Sequence, residues 1–350
     1  MRRDTLLFLW PAALAALLSA CGGGSDEGLA DATAGPTSER SVALAARSSA
    51  ARPVSVNLRV AAARATAESA SNACAQVRPY YWELGTRDGR IAGASVGADA
   101  SGVQVTARTS MPYASASKWL YGAYVAERRK GVLNATDVQM LTFRSGYTSF
   151  RTCEQGQTVD ACLATGSNGQ YSAFTDGAFF YNGGHMQKHA SMNGLGAMDN
   201  TTLAGAVQAQ LGSGITIAYS QPQPAGGVYG NAQNYAVFLR KLLGGQLALS
   251  KLLGSSSACA SPATCAPHEA LGSPAPEQET WRYSLGHWVE TNPRVGDGAF
   301  SSGGAFGFYP WVDASRTNYG IVARSVADGG QGSMLCGRLI RKAYATGVVL

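Results

Sequence analysis

Met111-Pro112-Tyr113-Ala114-Ser115-Ala116-Ser117-Lys118-Trp119-Leu120 places a serine three residues before a lysine, where a proline-restricted segment runs into an apolar helix. Helix positions i and i+3 share a face one turn apart, so the Ser115 hydroxyl and the Lys118 amine come within hydrogen-bonding reach. A serine hydroxyl is a weak nucleophile at neutral pH and needs a base beside it. A lysine held in a dry pocket sheds its proton more readily and can serve as that base. Trp119, Leu120, Tyr121, Ala123, Tyr124 and Val125 supply an apolar face that anchors the pair in a core. Ser-x-x-Lys is short, and one of six lysines in a serine-rich chain can meet it by chance, so its weight depends on its surroundings.

Upstream, Met1-Arg2-Arg3 precedes an apolar run from Leu6 to Leu18 that is too short to span a bilayer and reads as a secretory signal over residues 1–20. Leu18-Ser19-Ala20-Cys21 resembles a bacterial lipobox, in which the cysteine carries lipid and becomes the first mature residue; an ordinary signal with an incidental cysteine is the competing reading. Gly22-Gly23-Gly24-Ser25-Asp26 follows as a flexible tether, and Gly22 in place of an aspartate favours the outer membrane of the cell envelope. Attachment to the membrane is then expected through lipid, without a spanning segment. Residues 21–52 are rich in Ala, Ser, Gly and Thr and short of large apolar side chains, whereas 53–350 can form one compact domain. The formal charge of +6 is scattered, with Arg128-Arg129-Lys130 its one cluster, and gives no footprint for nucleic acid.

Of seven cysteines, Cys21 is assigned to lipid, and an even set remains: Cys74, Cys153, Cys162, Cys259, Cys265 and Cys336. In an exported chain these imply disulfides, though sequence alone leaves the pairing open. Locality suggests Cys153–Cys162 and Cys259–Cys265, leaving Cys74 for Cys336 and tying the first helix to the last. Metal binding is the rival reading, but no histidines stand at ligand spacing. No metal or organic cofactor is expected.

Residues 54–77 read as an amphipathic helix, and Tyr80–Gly97 as a β-hairpin about Asp88-Gly89. A third short strand is expected over Val103–Ala107. From about 119 to 275 the text is helical with long polar loops, and Val132–Phe143, Asn200–Leu211 and Asn231–Leu243 are its clearest helices. Strand pattern returns at Trp281–Glu290, Ala305–Asp313 and Asn318–Val326, followed by a closing helix over 333–345. Strands at both ends around a helical middle describe an α/β (α+β) fold: an antiparallel sheet built from both chain ends, flanked by helices, with an inserted helical subdomain. A ligand crevice is expected between sheet and helical region.

Four ordered stretches resemble the serine hydrolases of the β-lactamase and penicillin-binding-protein superfamily, nearest to its class C-like branch of family VIII esterases and 6-aminohexanoate-oligomer hydrolases. They are Ser115-Ala116-Ser117-Lys118, Phe179-Phe180-Tyr181-Asn182-Gly183-Gly184-His185-Met186-Gln187, Trp281-Arg282-Tyr283-Ser284-Leu285-Gly286-His287-Trp288-Val289, and Phe300-Ser301-Ser302-Gly303-Gly304-Ala305-Phe306-Gly307. Pro224-Ala225-Gly226-Gly227, with Asn234 to Leu239 after it, also resembles this branch. The resemblance implies Ser115 as nucleophile, Lys118 as base and a tyrosine as second base. One register makes that residue Tyr181, with Gly183 in the third slot; the other matches Asn182 and puts Phe180, which carries no proton, in its place. The backbone N–H groups of Ser115 and Ala305 would form an oxyanion hole, and Asn182, Ser302, Gly303 and Gly304 would meet substrate. Most relatives carry Lys or His where Ser302 stands, a cation that anchors substrate carboxylates. Its loss points to a small-molecule ester or uncharged amide ahead of β-lactams or D-Ala-D-Ala peptides; a non-catalytic binding lipoprotein is the remaining alternative. His185, His189, His268 and His287 tempt a Ser-His-Asp reading, but no Gly-x-Ser-x-Gly elbow accompanies them.

Overall fold

The computed structural model describes residues 54–350. The expected signal peptide, lipidated Cys21 and tether lie outside those residues. Eight antiparallel strands make the main sheet: β1 (Tyr80–Thr86), β2 (Gly89–Val96), β3 (Ala258–Cys259), β4 (Arg282–Ser284), β5 (His287–Val289), β6 (Phe300–Ser301), β7 (Tyr309–Val312) and β8 (Tyr319–Ala323). Their spatial order is β2-β1-β8-β7-β6-β5-β4-β3, so the N-terminal hairpin is added to the last strand and the sheet is closed from both chain ends. Tyr81 pairs with Ala323 and Gly85 with Tyr319 across that junction.

The helices are α1 (Val56–Glu68), α2 (Ser117–Arg128), α3 (Ala135–Leu141), α4 (Val159–Ala164), α5 (Gly184–Ala190), α6 (Asn200–Leu211), α7 (Ala232–Leu243) and α8 (Gly330–Thr346). Both α7 and α8 pack on β7 and β8, and α1 lies on α8. All five residues of β8 are buried, as expected of a strand with both faces covered. Helix α2 is buried around almost its whole circumference and takes the polar Ser117 and Lys118 into the core with its apolar residues.

All three expected disulfides are present: Cys74–Cys336, Cys153–Cys162 and Cys259–Cys265. Cys259, Cys265 and Glu269 lie close together, but the two sulfurs are bonded to each other and offer no thiolate to a metal. No helix among the described residues is long and apolar enough to cross a membrane.

Some boundaries differ from the sequence reading. The strand expected over Val103–Ala107 does not form: the Asp99 carboxylate accepts from the N–H groups of Ser101 and Val103, and Thr109 Oγ1 accepts from the Thr106 N–H, so local turns win the backbone. The first helix stops at Glu68, and Asn72 opens a separate 3-10 turn, Ala73–Val77, that carries Cys74 to Cys336. The helix expected from Val132 starts at Ala135 because Asn134 and Asp137 form a capping box.

Candidate active site

Ser115 sits on a 3-10 turn, Ala114–Ala116, that leads directly into α2. Ala114 holds φ at +47°, a left-handed conformation costly for alanine, and the surroundings fix it there. The Tyr113 N–H donates to the Val228 carbonyl, its hydroxyl to the Asn231 carbonyl, and the Tyr235 hydroxyl to the Ala116 carbonyl. The turn is therefore tied to the β-strand Val228–Gly230 and to α7 before any ligand arrives.

Lys118 Nζ lies 2.9 Å from Ser115 Oγ and donates at 2.7 Å to the Ala225 carbonyl. Burial lowers its pKa from 10.5 to about 7. Leu285-Gly286, the turn between β4 and β5, packs on the backbone here. Gly286, at φ +89°, leaves room for the Lys118 carbonyl, which a Cβ would approach to 2.3 Å. The Tyr181 ring lies beneath the amine, 4.9 Å from Nζ to centroid, and stacks on Trp288 at 5.2 Å. Burial pushes the Tyr181 phenol pKa up to about 12, with Ser115 and Trp288 beside it drawing it down in part. Of the two registers the structure brings Tyr181 to the Ser-Lys pair; Phe180 instead packs on Gly272 of the neighbouring strand Ala270–Gly272.

Beyond β6 the chain continues along β7, with the Ser302 N–H donating to the Pro310 carbonyl and the Gly304 N–H to the Phe308 carbonyl. Among the described residues, the alternate N–H groups, at Gly303 and Ala305, donate to no backbone acceptor, and neither does that of Ser115. A cavity of about 380 Å³ opens here. Ser115 and Tyr181 meet it on one side and Trp288, Ser301, Gly303 and Tyr309 on the sheet; Pro274–Pro276, Trp281 and the start of α8 with Gln331 and Met334 close it. The expected crevice is present, but α8 and the 274–281 segment also build it, which sequence pattern did not indicate.

No family model and no curated protein sequence matches the chain. Solved structures do. EstCE1, a hydrolase with promiscuous acyltransferase activity, superposes with TM-score 0.58 at 12% identity over 83% of this chain and 99% of its own. Simvastatin synthase (LovD) from Aspergillus terreus gives 0.55 at 14% over 82% and 98%. A penicillin-binding protein from Bacillus halodurans gives 0.52 at 12% over 73% and 93%. The chain has the β-lactamase and penicillin-binding-protein fold.

Against that fold's expected motifs, two positions differ from the sequence reading. Asn182 does not face the cavity: its amide donates to the Phe150 carbonyl and its carbonyl accepts from the Gly184 N–H at the start of α5. Each end of the amide is thus engaged by backbone, which fixes the side chain between Phe150 and the start of α5. Ser302 is likewise turned away, its hydroxyl donating at 3.1 Å to the Ser115 carbonyl, so it rivets the strand to the serine turn. Gly304 serves the same junction, since a Cβ there would stand 2.2 Å from the Tyr113 carbonyl. At Gly303 a Cβ would make only ordinary contact, with Tyr309 at 3.5 Å, and this residue lines the cavity.

None of the four histidines hydrogen-bonds Ser115. His185 bridges Ser145 Oγ and the Phe180 carbonyl, and burial lowers its pKa to about 4. His189 links the Tyr121 hydroxyl to Asp137. His287 accepts from the Gly254 N–H and stacks on Trp119, burial lowering its pKa to about 3. His268 is exposed. Three of them act as buried neutral pins between elements.

Proposed function

We propose that the protein is a serine hydrolase acting on a carboxylic ester or uncharged amide through an acyl-enzyme on Ser115. The observation that carries this reading is the 2.9 Å contact between the Ser115 hydroxyl and a buried lysine whose pKa is drawn down to about 7. Neutral Lys118 takes the hydroxyl proton as Oγ attacks the substrate carbonyl carbon. The Ser115 and Ala305 N–H groups hold the oxyanion, with Gly303 as a further free donor on the same strand. The leaving group departs with a proton passed through the Tyr181 hydroxyl, and water, giving up its proton by the same route, releases the acid. Tyr181 works as a neutral proton carrier in this scheme, because a phenol pKa of about 12 leaves little phenolate at neutral pH.

The hydrolase and acyltransferase activities of EstCE1 support an ester substrate. A β-lactamase or D-Ala-D-Ala carboxypeptidase ranks second, because the place of the third motif's cation is taken by Ser302. A binding protein without catalysis ranks third: it calls for a displaced lysine or a plugged crevice, whereas Lys118 touches Ser115 beside an open cavity. The N-terminal signal and Leu18-Ser19-Ala20-Cys21 support export and a lipid anchor in the outer membrane. A fluorophosphonate probe tests the central claim: wild type is labelled on Ser115, and Ser115→Ala is not. Failure to label the folded wild type overturns it. Acylation by labelled penicillin in preference to ester turnover would favour the second reading.

A further inference from the structure

The cavity beside Ser115 has one ionised side chain on its wall among the described residues, Asp328. It is exposed at the mouth and enters no ion pair among those residues. Asp328 immediately precedes Gly329, the N-cap of the 17-residue helix α8, whose first residues, Gly330 and Gln331, also face the cavity. The Gly330 N–H is taken by the Ala305 carbonyl, but the positive pole of the macrodipole at this helix end would otherwise attract an anion.

The cations nearby are already engaged. Arg324 donates to Ser333 Oγ and to the carbonyls of Val77 and Gly329. Arg338 is held by Glu279 and Glu290 behind Trp281, and Lys118 by Ser115 and the Ala225 carbonyl. Among the described residues, a substrate carboxylate entering the cavity therefore meets no free side-chain cation and one carboxylate, Asp328.

We propose that Asp328 is a specificity-determining residue: it supplies the cavity's own anion at the start of α8 and so keeps carboxylate-bearing substrates out, selecting neutral acyl compounds. This rests on the serine-hydrolase reading of the site and adds to it the charge class of the substrate. Asp328 holds φ at +52°, a conformation asparagine also tolerates, so Asp328→Asn removes the charge with little change of shape.

The test compares kcat/KM for a matched pair of esters, p-nitrophenyl valerate and mono-p-nitrophenyl glutarate, in wild type, Asp328→Asn and Asp328→Lys. The anionic-to-neutral ratio is expected to rise about 5-fold in Asp328→Asn and further in Asp328→Lys, and the difference from wild type to shrink between about 20 mM and about 500 mM NaCl, since an exposed charge is screened. An unchanged ratio overturns the proposal. A second arm uses Ser115→Ala with and without Asp328→Asn, titrated with phenylacetate and phenylacetamide and read by tryptophan fluorescence. Removing the Asp328 charge is expected to tighten phenylacetate selectively, and equal effects on both probes overturn the proposal. If neither ester turns over in wild type but the binding selectivity holds, the hydrolase reading fails and the charge filter stands.

Discussion

A lysine buried against a serine hydroxyl and one carbonyl is a strained choice of residue, and its two consequences have opposite signs. For catalysis the amine must be neutral, so kcat/KM is expected to rise with pH through a single ionisation near 7 and then stay level to about pH 10, the Tyr181 phenol lying higher, at about 12. Rates on p-nitrophenyl butyrate between about pH 5 and pH 10 check this; a profile flat through pH 7 would remove Lys118 from the role of base. For stability, the folded pKa lies below the ordinary 10.5, so the unfolded chain binds more protons across the interval from about 7 to 10.5 and stability rises with pH there. At neutral pH this burial costs on the order of 4 kcal/mol, partly offset by the bond to the Ala225 carbonyl. Lys118→Met is therefore expected to lower kcat by about 1000-fold or more while raising Tm by a few degrees, read by calorimetry at pH 7. Ser115 and Lys118 were legible in sequence because three residues of helix fix their relation locally. Asn182 and Ser302 were not, because Phe150 and Ser115, far away in the chain, decide where those side chains point.

Between elements, the closest fit in the site is the crossing of the Ser302–Ala305 strand extension over the serine turn. Gly304 leaves 2.2 Å where a methyl group would sit, and the obstacle is the Tyr113 backbone carbonyl, which no rotamer change can move. Gly304→Ala is expected to destabilise the fold by about 2–4 kcal/mol and to cut the ester turnover we propose by more than about 100-fold, since Ser115 and its facing N–H groups must separate. Urea unfolding and kcat/KM measured on one preparation check both effects; full activity would show that the crossing is looser than described. The hairpin about Asp88-Gly89 and the long helices α6 and α7 could be read from their own residues. The segment after Val96 could not, because Asp99 and Thr109 capture the backbone in turns that an apolar count over Val103–Ala107 does not register. The roles of Gln331 and Met334 in the cavity were hidden for another reason: α8 reads as a closing amphipathic helix, and nothing in its pattern says that its first turn reaches the serine.

At the scale of the molecule, α1 and α8 lie together, joined through the 3-10 turn after α1 by Cys74–Cys336, which spans 262 residues of sequence. In the chain-entropy account a loop that long is stabilised by about 5 kcal/mol on closure. The Cys74→Ser, Cys336→Ser double variant is expected to lose several kcal/mol of stability while keeping the Ser115–Lys118 contact, so that Tm falls well before activity at low temperature does. Equal melting of wild type and variant would show that packing of α8 on β7 and β8 alone suffices. The N-terminal segment makes a separate prediction: Cys21→Ser is expected to move the protein from the detergent-rich to the aqueous phase on cloud-point separation of cell extracts, without affecting fluorophosphonate labelling.

Strands β1 and β2 have only each other until β8 exists, and the serine turn lacks its facing N–H groups until residues 303–305 have been made. A nascent chain that has passed Lys118 thus carries the nucleophile and base we propose, for much of its synthesis, without the proposed oxyanion pocket. Unfinished chains should be chemically silent, and a truncation ahead of Gly303 should be inert however well its helices form.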